Sequence, residues 1–167
     1  MVWGTKFPPE PSAEAVTAIG DGGEVPARTI VVGGPNIEGP IEDASGRNAW
    51  TITGFGIDDQ CVLRWRPACN APPAQWHAPC LSVAHKTTDT TNCQIVIRVY
   101  DTAGNLVHTA AVTESAAWAI HEINPADGTI LAGTWTVGER FTIEVDVTLD
   151  AADVAWIEAP LYPPLGA

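Results

Sequence analysis

The chain is poor in basic residues: 8 Lys plus Arg stand against 20 Asp plus Glu in 167 residues, a formal net charge of −12. Such a charge repels phosphate backbones, so we expect no nucleic-acid partner. No apolar run approaches the roughly 18 residues that a membrane-spanning helix needs. The N-terminus also lacks the basic stretch and apolar run of a secretory signal. We therefore expect a protein made in the cytoplasm, with no membrane partner.

Recognisable catalytic and cofactor motifs are lacking as well. No serine lies in a G-x-S-x-G context, the four histidines are dispersed along the chain, and the glycine clusters lack the lysine of a phosphate-binding loop. Glu144 and Asp146 lie on the predicted outer face of one strand, where we expect both carboxylates to be solvated. The sequence therefore predicts no catalytic residue, no cofactor and no enzyme.

Alternating apolar and polar residues are plentiful, and they predict strands. In 140–149, Phe141, Ile143, Val145 and Val147 alternate with polar residues, which is typical of a strand with one buried face. No helical pattern longer than about two turns separates the strands. The strand candidates are 28–32, 49–55, 60–66, 81–85, 94–100, 106–113, 116–120, 129–137, 140–149 and 153–159.

Short strands with turn signals every 8–12 residues favour an all-β fold, a β-sandwich or jelly roll of about eight or nine strands. We divide the chain into an extended Pro-rich arm, 1–28, and a β-sandwich domain, 29–167. Residues 33–48 are interpreted as a long connection. Residues 67–92 are predicted to be an irregular, cysteine-containing insertion, and an excursion of that length needs a staple.

The arm contains large apolar residues on a segment that has no core of its own. Phe7-Pro-Pro-Glu-Pro11 favours an extended polyproline conformation. Two interpretations remain open: a tail, or an arm that docks on a neighbouring copy. The residues predicted to contact a partner are Trp3, Phe7, Pro8 and Pro9.

Four cysteines, Cys61, Cys69, Cys80 and Cys93, lie in or beside the insertion. Two disulfides would pin it to the flanking strands, and Cys61–Cys93 with Cys69–Cys80 is one attractive pairing of the three possible. Free thiols are the second interpretation. The third is a metal site drawn from Cys69, His77, Cys80, His85 and Cys93.

Seven tryptophans are a high count for this length. Trp76 lies in the insertion and is predicted to be an exposed ligand contact. For the tryptophans in strand candidates, core packing is the default expectation. These are Trp50, Trp65, Trp118, Trp135 and Trp156.

The C-terminal segment GTWTVGERFTIEVDVTLDAADVAWIEAPLY resembles the closing strands of jelly-roll domains. Such domains occur in carbohydrate-binding modules and in bacteriophage capsid-decoration and fibre proteins. The resemblance implies a non-enzymatic virion protein that decorates and stabilises a capsid. Its partners would be other copies of itself and the viral major capsid protein, and its location would be the capsid surface. The alternative is a carbohydrate-binding module or fibre lectin of jelly-roll type.

Overall fold

The computed structural model describes residues 26–76, 81–88, 91–126 and 129–161, and these form an almost entirely β structure. None of the described helical segments is long and apolar enough to cross a membrane. The strands are β1 (Ala27–Val32), β2 (Asn36–Glu42), β3 (Asn48–Thr53), β4 (Asp59–Trp65), β5 (Leu81–Thr87), β6 (Gln94–Tyr100), β7 (Leu106–Val112), β8 (Ala119–Ile123), β9 (Thr142–Leu149) and β10 (Val154–Ile157). The predicted all-β fold is confirmed.

The strands form two five-stranded sheets. Sheet I has the order β1-β4-β9-β6-β7 and sheet II the order β2-β3-β10-β5-β8. All strand pairs are antiparallel. Because the chain passes repeatedly from one sheet to the other, each sheet mixes strands that are distant in sequence. The edges of the sandwich are β1 and β7 in sheet I and β2 and β8 in sheet II.

The core lies between the sheets and follows from the alternation in each strand. In β9, Ile143, Val145 and Val147 are fully buried, and each lies opposite an apolar residue of β4 and of β6. The apolar rows of three adjacent strands therefore form one continuous inner surface. Sheet II covers that surface with its own inward residues, which include Ile52, Leu81, Val83, Ala155 and Ile157.

Two segments differ from the prediction. The connection 33–48 contains β2, an edge strand interrupted at the cis peptide bond Gly39–Pro40. Proline is tolerated in an edge strand because its missing N–H faces no neighbour. The predicted strand 129–137 is instead a 3-10 turn, Ile130–Ala132, followed by a loop. The first strand also begins at Ala27, inside the range assigned to the arm.

The insertion 67–92 is held to the domain mainly by backbone hydrogen bonds and aromatic packing. Its second half contains β5, which extends the predicted strand 81–85 to Thr87. Its first half pairs with the segment before β9, because the N–H of Cys69 donates to Glu139 O and Cys69 O accepts from Gly138 N–H. The N–H of Phe141 donates to Pro67 O. These contacts supply the staple that the length of the excursion requires.

Two buried aspartates anchor the loops at the ends of the sheets. Asp59 accepts hydrogen bonds from the N–H groups of Phe55 and Gly56 at 2.8 and 3.0 Å. Gly33 passes so close that a Cβ there would overlap Asp59 Oδ1, and its φ of +71° also favours glycine. Asp101 anchors the β6–β7 turn in the same manner. Each carboxylate fixes a loop by collecting backbone donors that the sheets do not use.

Candidate functional site

The predicted arm contacts, Trp3, Phe7, Pro8 and Pro9, lie outside the described residues, as do His77 and Cys80. Docking of the arm on a partner therefore stays a prediction. The same holds for the metal site that included His77 and Cys80. Among the described residues, no group of three or more His, Cys, Asp or Glu side chains is arranged to hold a metal ion.

The cysteines do not form the predicted disulfide pairs. Cys61 and Cys69 are buried free thiols, so the pairing of Cys61 with Cys93 and of Cys69 with Cys80 is wrong. Cys61 is an inward residue of β4, where it fills the core opposite Val147. Cys69 donates its thiol proton to Ala71 O at 3.2 Å. Both cysteines are therefore small core side chains, because a free thiol packs in the interior as a small apolar group does.

Cys61 should be inert towards thiol reagents in the folded protein. Burial, and secondarily the negative charge of Asp146, raise the pKa of its thiol to about 12. Since the thiolate is the reactive form, iodoacetamide at neutral pH should leave Cys61 unmodified until the chain is unfolded in guanidinium. Peptide mass spectrometry of native and unfolded samples measures this difference. Rapid native alkylation of Cys61 would contradict the buried position.

Trp76, predicted to be an exposed ligand contact, is buried in the core with 8% of its surface exposed. Its indole lies edge-on to Trp135, with ring centroids 5.0 Å apart, and 5.8 Å from the ring of Phe141. Its Nε1 donates to Ala71 O at 2.8 Å. The ligand-contact prediction for Trp76 is wrong, because the first half of the insertion folds back over the core and carries this ring inward.

The outer face of sheet I carries a network of paired charges. Glu144 and Asp146, expected to be solvated, are each only 8% exposed. Arg64 Nε donates to Glu144 at 2.8 Å, and Arg98 donates to Asp146 at 3.1 Å. Because β9 lies between β4 and β6, each carboxylate is covered by long side chains from both neighbours. The expectation that both carboxylates are solvated is therefore wrong.

This network leaves few groups for a ligand. The remaining carboxylate oxygens accept hydrogen bonds from the Tyr100 hydroxyl at 3.2 Å and from Gln60 Nε2 at 2.8 Å. Each of these carboxylate oxygens therefore accepts at least one hydrogen bond within the protein. No tryptophan is among the residues of the network, so the outer face of sheet II is the one that offers indole rings.

The outer face of sheet II carries two tryptophans. Trp156 lies in β10 between Ala155 and Ile157, which are both fully buried, so its own side chain points outward. Lys86 lies opposite it in β5, and Trp118 directly precedes β8, the next strand. We call this surface the tryptophan face; its residues are Trp118, Trp156, Lys86, Arg47, Asp43 and Glu158.

Cations and indoles interleave across the tryptophan face. Lys86 lies between the two rings, with Nζ 4.5 Å from the centroid of Trp156 and 5.5 Å from that of Trp118. The guanidinium carbon of Arg47 lies 4.8 Å from the Trp118 ring. Two nitrogens of Arg47 donate to the Glu158 carboxylate, at 2.7 and 2.9 Å. Both indoles are thereby held in defined positions at the surface, each only partly exposed.

Asp43, in the turn between β2 and β3, fixes one end of this face. Its Oδ1 accepts from the N–H groups of Ser45 and Arg47 at 2.9 and 3.0 Å. Its Oδ2 accepts from Trp118 Nε1 at 2.9 Å and lies 3.7 Å from Lys86 Nζ. The Ser45 hydroxyl, then the Arg47 N–H and the Trp118 indole, hold the pKa of Asp43 well below its usual value. The carboxylate is therefore ionised at neutral pH.

A cleft of about 390 Å³ adjoins the tryptophan face and shares Arg47 and Glu158 with it. That volume lies within the range of about 300–1,000 Å³ found for small-molecule sites. The remaining residues that line the cleft are Pro40, Gly46, Asn48, Trp50, Ala159 and Leu161.

The tryptophan face has two cationic and two anionic side chains, so it carries no net charge in a chain whose net charge is −12.

Sequence reasoning missed the tryptophan face because it assigned Trp118 and Trp156 to the core. The alternation in β10 carries a usable signal for Trp156: with Ala155 and Ile157 inward, the residue between them must face outward. No comparable signal exists for Trp118, which lies just outside a strand. The core assignment holds for Trp50 and Trp65, which are 3% and 1% exposed.

No protein-family model matches the chain, and no curated protein matches it significantly. Solved structures match in fold. The fold is a jelly-roll β-sandwich. TmCBM61, a carbohydrate-binding module in complex with β-1,4-galactotriose, has a TM-score of 0.52 at 17% identity, over 83% of this chain and 89% of that one. The family 11 carbohydrate-binding module from Clostridium thermocellum, in complex with a β-1,3-1,4-mixed-linked tetrasaccharide, has a TM-score of 0.51 at 12% identity, over 84% and 90%.

Part of a bacteriophage tailspike protein also matches in fold. The enzymatically active domain of tailspike protein 4 from bacteriophage CBA120 has a TM-score of 0.52 at 10% identity. The match covers 81% of this chain but only 18% of that chain. At such identities, all three likenesses concern the fold alone, and function has to be argued from the residues of this chain.

Proposed function

We propose that this protein is a non-enzymatic carbohydrate-binding module and that the tryptophan face is its binding surface. The observation that carries the proposal is the pair of outward-facing tryptophans, Trp118 and Trp156, held beside charged hydrogen-bonding groups on one sheet face. An indole face packs against the C–H groups of a sugar ring, while charged groups at its rim exchange hydrogen bonds with hydroxyls.

The charge balance favours a neutral glycan. Arg47 and Lys86 are each within 4 Å of a carboxylate, so neither cation is available to bind an anionic sugar without breaking an ion pair. A neutral oligosaccharide instead finds both donors and acceptors on this face. The oligosaccharides bound by the two carbohydrate-binding modules described above, a galactotriose and a mixed-linked tetrasaccharide, support this class of ligand.

The cations that lie over the indoles do not prevent stacking. A cation–π contact at an exposed site contributes only about 0.5–1 kcal/mol. A sugar ring that covers Trp156 would replace the contact with Lys86, and Lys86 could then donate to a hydroxyl of the same ligand.

The test is a screen of neutral oligosaccharides, followed by calorimetric titration of the best ligand. Trp156→Ala and Trp118→Ala should each weaken binding by about tenfold or more, since each ring is expected to contribute at least about 1.4 kcal/mol. Tyr100→Phe, on the outer face of sheet I, is the matched control and should bind as the parent does. Circular dichroism verifies that each variant is folded.

Two results would overturn the proposal. The first is the absence of binding to any neutral oligosaccharide at millimolar concentration. The second is binding that both tryptophan variants retain. The capsid-decoration role stays a separate prediction, and sedimentation with capsids of a cognate virus is the measurement that addresses it. The glycan-binding alternative has the better support, because it rests on a defined surface of the chain.

A further inference from the structure

Three histidines project into the interior on the same side of the sandwich. His108 is in β7, an edge strand of sheet I, and His121 is in β8, an edge strand of sheet II. His121 lies opposite Val83 in β5, and His85 follows two residues further along the same inward row. His108 and His121 thus come from different sheets and meet at two edge strands, and His85 is diagonally opposite His121 in β5.

The distance between two of them matches a metal-ligand spacing. Nε2 of His108 and Nε2 of His121 are 3.3 Å apart. In a tetrahedral zinc site with Zn–N bonds of about 2.0–2.1 Å, two ligand nitrogens are separated by about 3.3–3.4 Å. The rings are tilted by 38°, with centroids 5.6 Å apart, so they are not stacked on one another.

We propose that Nε2 of His108 and Nε2 of His121 chelate a divalent transition-metal ion of the class that prefers imidazole, such as zinc, copper or nickel. Imidazole suits these ions, whereas calcium and magnesium require oxygen ligands. The described residues supply no arranged set of three ligands. Water therefore completes the coordination sphere unless His85 joins it, and the affinity is moderate.

His85, diagonally opposite His121, has a buried ring nitrogen that is not hydrogen-bonded to any described residue. It is 2% exposed, and its Nδ1 has no hydrogen-bond partner among the described residues. A buried polar atom without a partner is costly, so its presence calls for an explanation.

A metal ion bound at this position would link the two sheets. Among the described strands, β7 pairs only with β6 and β8 only with β5. A metal ion held by one imidazole from each strand would tie these edges together across the open side of the sandwich. The site is distinct from the tryptophan face, which lies on the outer surface of sheet II, so the metal proposal does not depend on the glycan proposal.

Zinc titration of the full chain, followed by calorimetry and thermal unfolding, tests the proposal. We expect equimolar binding at neutral pH and a rise in the midpoint of unfolding. His108→Gln and His121→Gln should each weaken zinc binding by at least about tenfold, because even outer-shell partners are worth about 10–100-fold. Glu122→Gln is the matched control: it removes an exposed carboxylate from the opposite face of β8.

Electron paramagnetic resonance of the copper-loaded parent protein keeps the test decisive if a variant fails to fold. Two or three coordinated imidazole nitrogens would support the site, and fewer than two would overturn it. Equal zinc affinity in the parent and in a folded variant lacking both His108 and His121 would also overturn it. The pair would then be explained by a direct imidazole–imidazole hydrogen bond.

Discussion

Replacing Trp76 with alanine should lower the free energy of unfolding by about 3–5 kcal/mol, the usual cost of removing a large aromatic side chain from a core. Trp76 packs against Trp135 and Phe141, whose own ring centroids are 5.3 Å apart. The alanine variant would leave a cavity in this three-ring cluster and free the insertion from the core. It would also remove the N–H donor to Ala71 O. Urea unfolding of the parent and the variant measures the loss.

The control for this prediction is Trp76→Phe, which keeps an aromatic ring but loses the hydrogen bond and part of the volume. Its loss of stability should be clearly smaller than that of the alanine variant. At a temperature where both are folded, glycan affinity should be unchanged in both. A small change in stability combined with a large loss of glycan affinity would contradict the buried position of Trp76 and restore it as a ligand contact.

Asp101→Asn should produce the second large loss, about 2–4 kcal/mol, because hydrogen bonds to a charged group are each worth about 1.5–3 kcal/mol. Asp101 is 2% exposed. Its Oδ1 accepts from the N–H groups of Ala103 and Asn105, and its Oδ2 from the N–H of Thr134 and from Asn105 Nδ2. An amide group would turn an N–H₂ towards one pair of these donors. Urea unfolding at neutral pH measures the loss.

The same carboxylate should make stability depend on pH. Burial raises the pKa of Asp101, but hydrogen bonds from Thr134 and Asn105 outweigh it, so the folded-state pKa lies below the usual value. Its stabilising contribution is therefore complete above the unfolded pKa of about 3.9 and is lost as the pH falls through the folded pKa. Asp59, whose pKa is lowered chiefly by the N–H of Phe55, adds a contribution of the same sign.

Asp58→Asn is the matched control for both measurements, because Asp58 is exposed in the turn before β4. Its φ of +58° is a conformation that asparagine tolerates as well as aspartate does, so the substitution adds no backbone strain. It should leave the free energy of unfolding at neutral pH and the acid transition nearly unchanged. Asp101→Asn should instead flatten the dependence on pH in the acid range. If both variants had the same acid transition as the parent, Asp101 would not be the group that couples protonation to unfolding.

The sequence indicates that the insertion must be anchored, but it does not reveal which contacts anchor it. The length of 67–92 correctly indicates that a staple is needed, and four nearby cysteines suggest disulfides. The structure instead uses Trp76, Trp135 and Phe141, together with backbone hydrogen bonds to the segment before β9. Trp135 belongs to the loop after the 3-10 turn, and its place in the cluster depends on contacts between distant segments.

The residues of the two candidate sites also come together through contacts between segments that are distant in the sequence. Trp118 and Trp156 lie around Lys86 on one sheet face only because β8 and β10 both flank β5, and the order of strands in a sheet is not visible in local patterns. His108 and His121 meet because β7 and β8 end different sheets on the same side. In each case the chemistry-bearing residues are individually ordinary, and their proximity is created by strand pairing and sheet packing.

Local residue patterns were enough to establish the all-β class and the extent of the most regular strands. β6 covers the predicted Gln94–Tyr100, and β9 has the predicted inward row from Ile143 to Val147. Such strands can be predicted from the sequence because burial of one face makes apolar and polar residues alternate. The strand order, the burial of Trp76 and the two candidate sites emerged only in the folded chain. These depend on which distant segments exclude water together, and that is a property of the whole packed sandwich.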